Sequence, residues 1–180
     1  MRQSGAETQA GRVVMLSGPV GAGKTTVARL LLPLLAGPWA YLEGDTFWSF
    51  IAKAENRSIR ENFPVIMRSM TAAAIPFARS GFNVLLDFSI PPDFLPTARK
   101  ILKEIPLDFV SLRPSIELCA RRAAERSEGK IDDYEPYHSF YALFENASTS
   151  VIGDDAATAE TLAGQLRDGL LAGQFRVSER

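Results

Sequence analysis

A chain of 180 residues that is 46% hydrophobic and 23% charged carries enough apolar material for one sizeable core and too much for a disordered polymer. Its formal net charge of −1 provides no general basic footprint for nucleic acid, so a polynucleotide substrate is disfavoured. The lone cysteine, Cys119, excludes an internal disulfide and a thiolate metal cluster and is expected to fill a small buried apolar space.

Residues 1–10 are polar and aperiodic and read as a flexible leader to one domain spanning 11–180. Val13 to Ser17 is a short apolar strand candidate, and Thr26 to Leu31 has helical spacing. Between them runs Gly18-Pro-Val-Gly-Ala-Gly-Lys24-Thr25, a full match to GxxxxGK[ST]. Glycines free such a loop to turn successive N–H groups onto phosphate oxygens, the lysine adds a mobile charge, and the hydroxyl ligates magnesium. The following helix points its N-terminal dipole at the anion. Gly18, Gly21, Ala22, Gly23, Lys24, Thr25 and Thr26 are therefore expected to hold a nucleoside triphosphate, with Thr25 also a metal ligand. The guanine-reading pattern Asn-Lys-x-Asp is absent, which favours ATP over GTP.

Ala36-Gly37-Pro38 breaks the chain before a second strand at Trp39 to Leu42, which ends in Glu43-Gly44-Asp45. A helix is predicted over Asn62 to Ser80, with Asn62 and Pro64 as start signals, Gly81 as the stop, and a kink or interruption at Pro76. Phe82 to Asp87 is the best buried-strand candidate. Then follow an amphipathic helix over Asp93 to Ile105, a strand over Leu107 to Leu112, and a helix from a Ser115 cap to Arg126. A polar loop at Ser127 to Asp133 reads as a short lid, and a helix follows around Tyr137 to Phe144. Thr149 to Ile152 is a last short strand, and Leu162, Leu166 and Leu170 mark a final helix stopped near Gly173. The alternation implies a three-layer, doubly wound parallel α/β sheet with right-handed crossovers.

Ligands of such sheets bind outside the carboxyl ends of the strands, so polar residues there are the best candidates for chemistry. Asp45 and Asp87 both qualify. A carboxylate facing the γ-phosphate orients the proton of an attacking hydroxyl, which is the role expected of Asp45; another holds a magnesium-bound water, the role expected of Asp87. Arg122 and Arg126 share a helical face. Arg122 is expected to stack on the adenine and Arg126 to neutralise charge on the transferred group. Trp48 is expected to wall the acceptor pocket beside Asp45, and His138, the only histidine, is expected to pack and not to catalyse.

The phosphate loop, the strand end Leu42-Glu43-Gly44-Asp45, Val84 to Asp87 and the Arg122-Ala-Ala-Glu-Arg126 pair together resemble the small P-loop kinases that include gluconate kinase, shikimate kinase and chloramphenicol phosphotransferase. The likeness runs in order over about Val13 to Ile152, and Gly37 to Asp45 looks particularly like the antibiotic kinase. It implies a nucleotide-kinase-like P-loop NTPase fold with five strands in the order 2-3-1-4-5, ATP with magnesium, an arginine-bearing lid, and an aspartate at Asp45 that contacts the acceptor hydroxyl. The arginine arrangement with which shikimate kinases grip their carboxylate, and the gluconate-kinase lid, have no match, so neither substrate is transferred.

The expected activity is ATP-dependent phosphorylation of a hydroxyl on a small molecule. The alternatives are an ATP-binding regulatory module with slow or no hydrolysis, and a nucleotide or polynucleotide kinase. The apolar stretch Leu30 to Ala36 is broken by Pro33 and too short to cross a bilayer, and no secretory leader is recognisable, so no membrane partner and a cytoplasmic location are expected.

Overall fold

The computed structural model of the protein describes residues 10–145 and 151–178. Five parallel strands form one sheet in the order β2-β3-β1-β4-β5. β1 (Val13–Ser17) sits in the middle between β3 (Asn83–Asp87) and β4 (Leu107–Leu112). β2 (Trp39–Glu43) forms one edge, and β5, reduced to Val151–Ile152, touches only the end of β4 at the other. The expected start of that last strand at Thr149 lies outside the described residues, as does nearly all of the expected leader.

Alternate residues of the central strands enter opposite cores, as a parallel sheet covered on both faces requires. Val13, Met15, Leu86 and Phe109 pack with Met70 and Ala74 of α3 (Ile59–Arg79) and Leu102 of α4 (Leu95–Leu102). Val14, Leu16, Leu85 and Leu112 pack with Leu31 of α1 (Lys24–Leu31), Cys119 of α5 (Ile116–Ala124) and Leu166 of α7 (Ala159–Leu171). Cys119 is fully buried as expected, and burial pushes its thiol up to about 11, so it behaves as an inert apolar group.

Local hydrogen bonds set several boundaries that spacing alone misplaced. α3 begins at Ile59, ahead of the expected Asn62, because Ser58 and Glu61 form a capping box: the Ser58 hydroxyl accepts from the Glu61 amide, and the Glu61 carboxylate accepts from the Ser58 amide. Neither Pro64 nor Pro76 ends that helix. The expected Asp93 to Ile105 helix is instead a 3-10 turn at Pro92–Phe94 followed by α4, which stops where Lys103 takes φ +56°. α5 closes at Ala124, so Arg126 lies beyond its end. The expected Tyr137 to Phe144 helix resolves into a 3-10 turn at Glu135–Tyr137 and α6 (His138–Ala142). A short helix, α2 (Gly44–Trp48), follows β2 directly and had no periodic signal.

The segment after α7 protects the part of β4 that β5 leaves bare. Gly173 adopts φ +68° and terminates α7 with a Schellman pair, Gln174 N–H to Gly169 C=O at 2.9 Å and Gly173 N–H to Leu170 C=O at 3.3 Å. The chain then runs antiparallel to β4, exchanging Phe109 N–H to Phe175 C=O and Val177 N–H to Leu107 C=O, each at 2.9 Å. Arg176 reaches the buried Asp108 carboxylate at 2.9 Å and Arg12 reaches it at 3.4 Å, pinning this strap across the sheet. No helix among the described residues is long and apolar enough to cross a membrane.

Candidate functional site

A cavity of about 670 Å³ opens at the carboxyl ends of the strands. Gly21, Ala22, Gly23, Lys24, Thr25 and Thr26 form one wall, and Asp45, Asp87, Arg122 and Arg126 complete it, so ten of the expected site residues meet in one place. Gly18 lies at the loop's entry, tight against Leu112, and does not line the cavity. Trp48 does not line it either. Its ring is partly buried against the core and stacks on the likewise partly buried Phe63 at 6.3 Å, and Phe63 in turn contacts Phe88, which does line the cavity, at 5.3 Å.

The loop owes its shape to close backbone contacts. A Cβ at Gly21, where φ is +83°, would stand 2.2 Å from the Cys119 carbonyl oxygen, so only glycine lets the loop lie on α5. Tyr134 fastens it further by donating to the Val20 carbonyl at 2.6 Å. Gly23 caps α1 without any side-chain hydrogen bond, which leaves the first-turn N–H groups of the helix facing the cavity for an anion.

Lys24 uses its donors on three oxygens: Ser89 Oγ at 2.9 Å, Pro19 C=O at 3.0 Å and Gly18 C=O at 3.2 Å. Burial holds the ammonium below the ordinary lysine range, and the carboxylates of Asp87 and then Asp45 oppose that shift. The site thus stores a cation that is under-solvated and held by neutral oxygens, a favourable starting point for a polyphosphate.

Register places the carboxylates. Glu43 and Asp87 are paired across β2 and β3, so the chain leaving β2 passes over the end of β3. α2 turns immediately there because Gly44 fits against the Phe88 ring, where a Cβ would stand 2.2 Å from the nearest ring atom. Asp45, in the first turn of α2, is exposed at the cavity's lip. Asp87 is buried at the floor, and Tyr41 donates to its Oδ2 at 2.9 Å. Burial, followed by the charge of Asp87, raises the Tyr41 phenol, so it stays a proton donor to that carboxylate.

α5 and the residues just past its end supply the arginines. The N-terminus of α5 is fixed by Ser115, whose hydroxyl accepts from the Leu118 amide and whose own amide donates to Asp155 at 2.7 Å. Arg122 then lies over the phosphate loop, 3.5 Å from the Ala22 carbonyl. Arg126, past the helix end, makes no hydrogen bond or ion pair with a described residue, and its charge is felt at Lys24. His138 is half-exposed beside the Glu135 carboxylate at 3.3 Å and is not in the cavity wall.

Lys24, Arg122 and Arg126 face four carboxylates across the cavity, those of Glu43, Asp45, Asp87 and Glu128. That balance suits a metal–polyphosphate better than a bare polyanion. Thr25 and Asp87 fit a magnesium site in donor chemistry, both offering oxygen. Among the described residues there is no group of three or more His, Cys, Asp or Glu side chains arranged to hold a metal. A metal here would complete its shell with phosphate and water oxygens, as magnesium commonly does.

Sequence reasoning missed Ser89, Tyr41 and Tyr134. Ser89 lies two residues past Asp87, where the same strand-end argument applies. Tyr134 meets a loop 114 positions earlier, and no local pattern reveals such a contact.

The profile of the family described as chloramphenicol phosphotransferase-like protein matches residues 11–140. Among solved structures, the chain is similar to the Mycobacterium tuberculosis APS kinase in complex with AMPPNP and APS, at 21% identity and a TM-score of 0.70 over 90% of this chain and 98% of that one. It is also similar to the shikimate kinase of Acinetobacter baumannii in complex with shikimate, at 21% identity and 0.61 over 92% and 96%. The Deinococcus radiodurans tunicamycin resistance protein matches at 14% identity and 0.68 over 94% and 99%. These likenesses are likenesses of fold. No curated protein sequence matches the chain significantly.

Proposed function

Because the chain belongs to the chloramphenicol phosphotransferase-like family, we propose that it moves the γ-phosphoryl group of ATP to a hydroxyl of a small molecule. The observation that carries this reading is the convergence in one cavity of phosphate-loop residues Val20 to Thr25, two strand-end carboxylates and two arginines.

In this reading the loop N–H groups and Lys24 take the phosphates, and Arg122 lies beside the base. Thr25 and Asp87 would hold magnesium, which when bound would screen phosphate charge. Asp45, exposed on α2, aligns the acceptor hydroxyl and receives its proton. Arg126, on the stretch leading into the lid at 127–133, swings over the transferred group; Glu128 and Ile131 of that lid already border the cavity. Phosphoryl transfer needs little proton abstraction early on, so most of the acceleration is positional and electrostatic.

The depressed lysine has a measurable consequence. A polyphosphate placed beside Lys24 raises its proton affinity again, so above the lowered pKa of the free protein nucleotide binding takes up a proton. Affinity for magnesium–ATP should therefore fall as pH rises through that lowered pKa. Calorimetry at alkaline pH, in buffers of different ionisation enthalpy, measures the uptake directly; a proton count of zero throughout contradicts the assignment of Lys24 to the phosphates.

The acceptor is tested by following ATP-to-ADP conversion across antibiotics, sugars, nucleosides and sugar acids. Stimulation by one class supports the kinase. A flat, slow background across all of them favours an ATP-binding regulatory module.

A further inference from the structure

We propose that Ser89 reads the terminal phosphate, donating its hydroxyl hydrogen to a γ-phosphoryl oxygen while its oxygen steers Lys24. The inference rests on the proposed nucleotide site and adds a residue that neither the phosphate loop nor the strand-end aspartates supply.

Three observations carry it. First, Ser89 Oγ accepts from Lys24 Nζ at 2.9 Å, and Ser89 lines the same cavity as the loop. A loop lysine of this kind reaches the β- and γ-phosphates, so the oxygen it touches marks the terminal-phosphate end of the site. Second, a serine hydroxyl has one hydrogen as well as its lone pairs. The Lys24 contact uses a lone pair, and the hydrogen finds no acceptor among the described residues. Ser89 is only 9% exposed yet lines the cavity, and an anionic oxygen arriving there is a stronger acceptor for that hydrogen than water.

Third, the turn that carries Ser89 is fixed independently of Ser89 itself. Ser17 Oγ donates to the Ile90 carbonyl at 2.6 Å and accepts from the Ile90 amide at 2.9 Å. The Phe88 amide donates to Leu16 at 3.3 Å, and Pro91 and Pro92 stiffen the exit. Such a mount holds the hydroxyl still while Lys24 leaves the Gly18 and Pro19 carbonyls for the nucleotide, and preorganised donors of this sort are worth most in a site that excludes water.

A residue that merely packed, or that only held Lys24 in the empty site, would treat di- and triphosphates alike. The test is calorimetric titration of wild type, Ser89→Ala and Ser89→Thr with magnesium–AMPPNP and magnesium–ADP. Because Ser17 secures the turn through backbone atoms, both variants should melt close to wild type, and Ser89→Thr, which keeps the hydroxyl, guards against a packing artefact. The alanine variant is expected to lose about tenfold or more in AMPPNP affinity, the range for a hydrogen bond to a charged group, with ADP affinity changed less than about twofold. The threonine variant should recover most of the loss. Equal weakening toward both nucleotides, no weakening, or a threonine variant as poor as alanine overturns the role of Ser89 and leaves the nucleotide site standing. A wild-type protein that binds neither nucleotide removes that site and this proposal with it.

Discussion

Lys24→Ala should reduce phosphoryl transfer by about 10²- to 10³-fold or more, the range for removing one preorganised donor from a developing anion. The loss follows from geometry. Lys24 is the cation nearest the loop carbonyls and Ser89, and none of its neighbours can replace it: Arg122 is engaged at the Ala22 carbonyl, and Arg126 reaches the cavity from beyond α5. Stability should respond in the opposite sense to intuition, because the ammonium is held there against a burial penalty that alanine does not incur. Asp87 loses a favourable charge in exchange, so the two effects offset and the melting temperature should move by only a few degrees. Lys24→Arg should fail almost as badly, since a planar guanidinium cannot address three oxygens arranged around one nitrogen. Steady-state turnover paired with a thermal melt checks both halves. Near wild-type turnover in a folded Lys24→Ala protein would remove the catalytic reading altogether.

How much of this was legible in the chain depends on the range of the interaction that decides each feature. β1, the loop and α1 were readable because the motif is contiguous and each residue type is demanded by backbone geometry or phosphate chemistry. The strand order followed from resemblance and is the order observed. Asp45 and Asp87 reach the same cavity because a parallel sheet collects its strand ends on one side, a rule that needs only the strand positions. That rule fixes where a residue emerges but not where its side chain turns, and Trp48 shows the difference: three residues after Asp45, it stacks on Phe63 at the margin of the core and does not line the cavity. Helix α3 started early because a four-residue capping box outweighed the proline signal, and α2 was invisible because a single turn has no period to detect. Ser89 and Tyr134 act through contacts with residues far away in sequence, Lys24 and Val20, which only the folded chain brings within hydrogen-bonding distance.

The two aspartates predict different phenotypes, and that contrast tests the division of labour between them. Asp45→Asn should lower turnover by about 10²-fold, at the modest end of the range for acid–base groups because the transition state asks little of the base. Its magnesium–ATP affinity should remain within about twofold of wild type. Asp45 is exposed on α2 at the lip, and taking one negative charge from a cavity with four carboxylates cannot by itself repel a polyphosphate. Asp87→Asn should lose nucleotide affinity and turnover together. Asp87 lies buried at the floor, its charge is felt at Lys24 more strongly than that of Asp45, and it accepts the Tyr41 hydroxyl at 2.9 Å. An amide there weakens the metal's footing and leaves Lys24 a poorer electrostatic partner at the same time. Acceptor-dependent turnover and calorimetric ATP affinity, measured on both variants, give the comparison. If Asp45→Asn loses ATP binding as severely as Asp87→Asn, Asp45 belongs to the nucleotide and the acceptor hydroxyl must be aligned by another group.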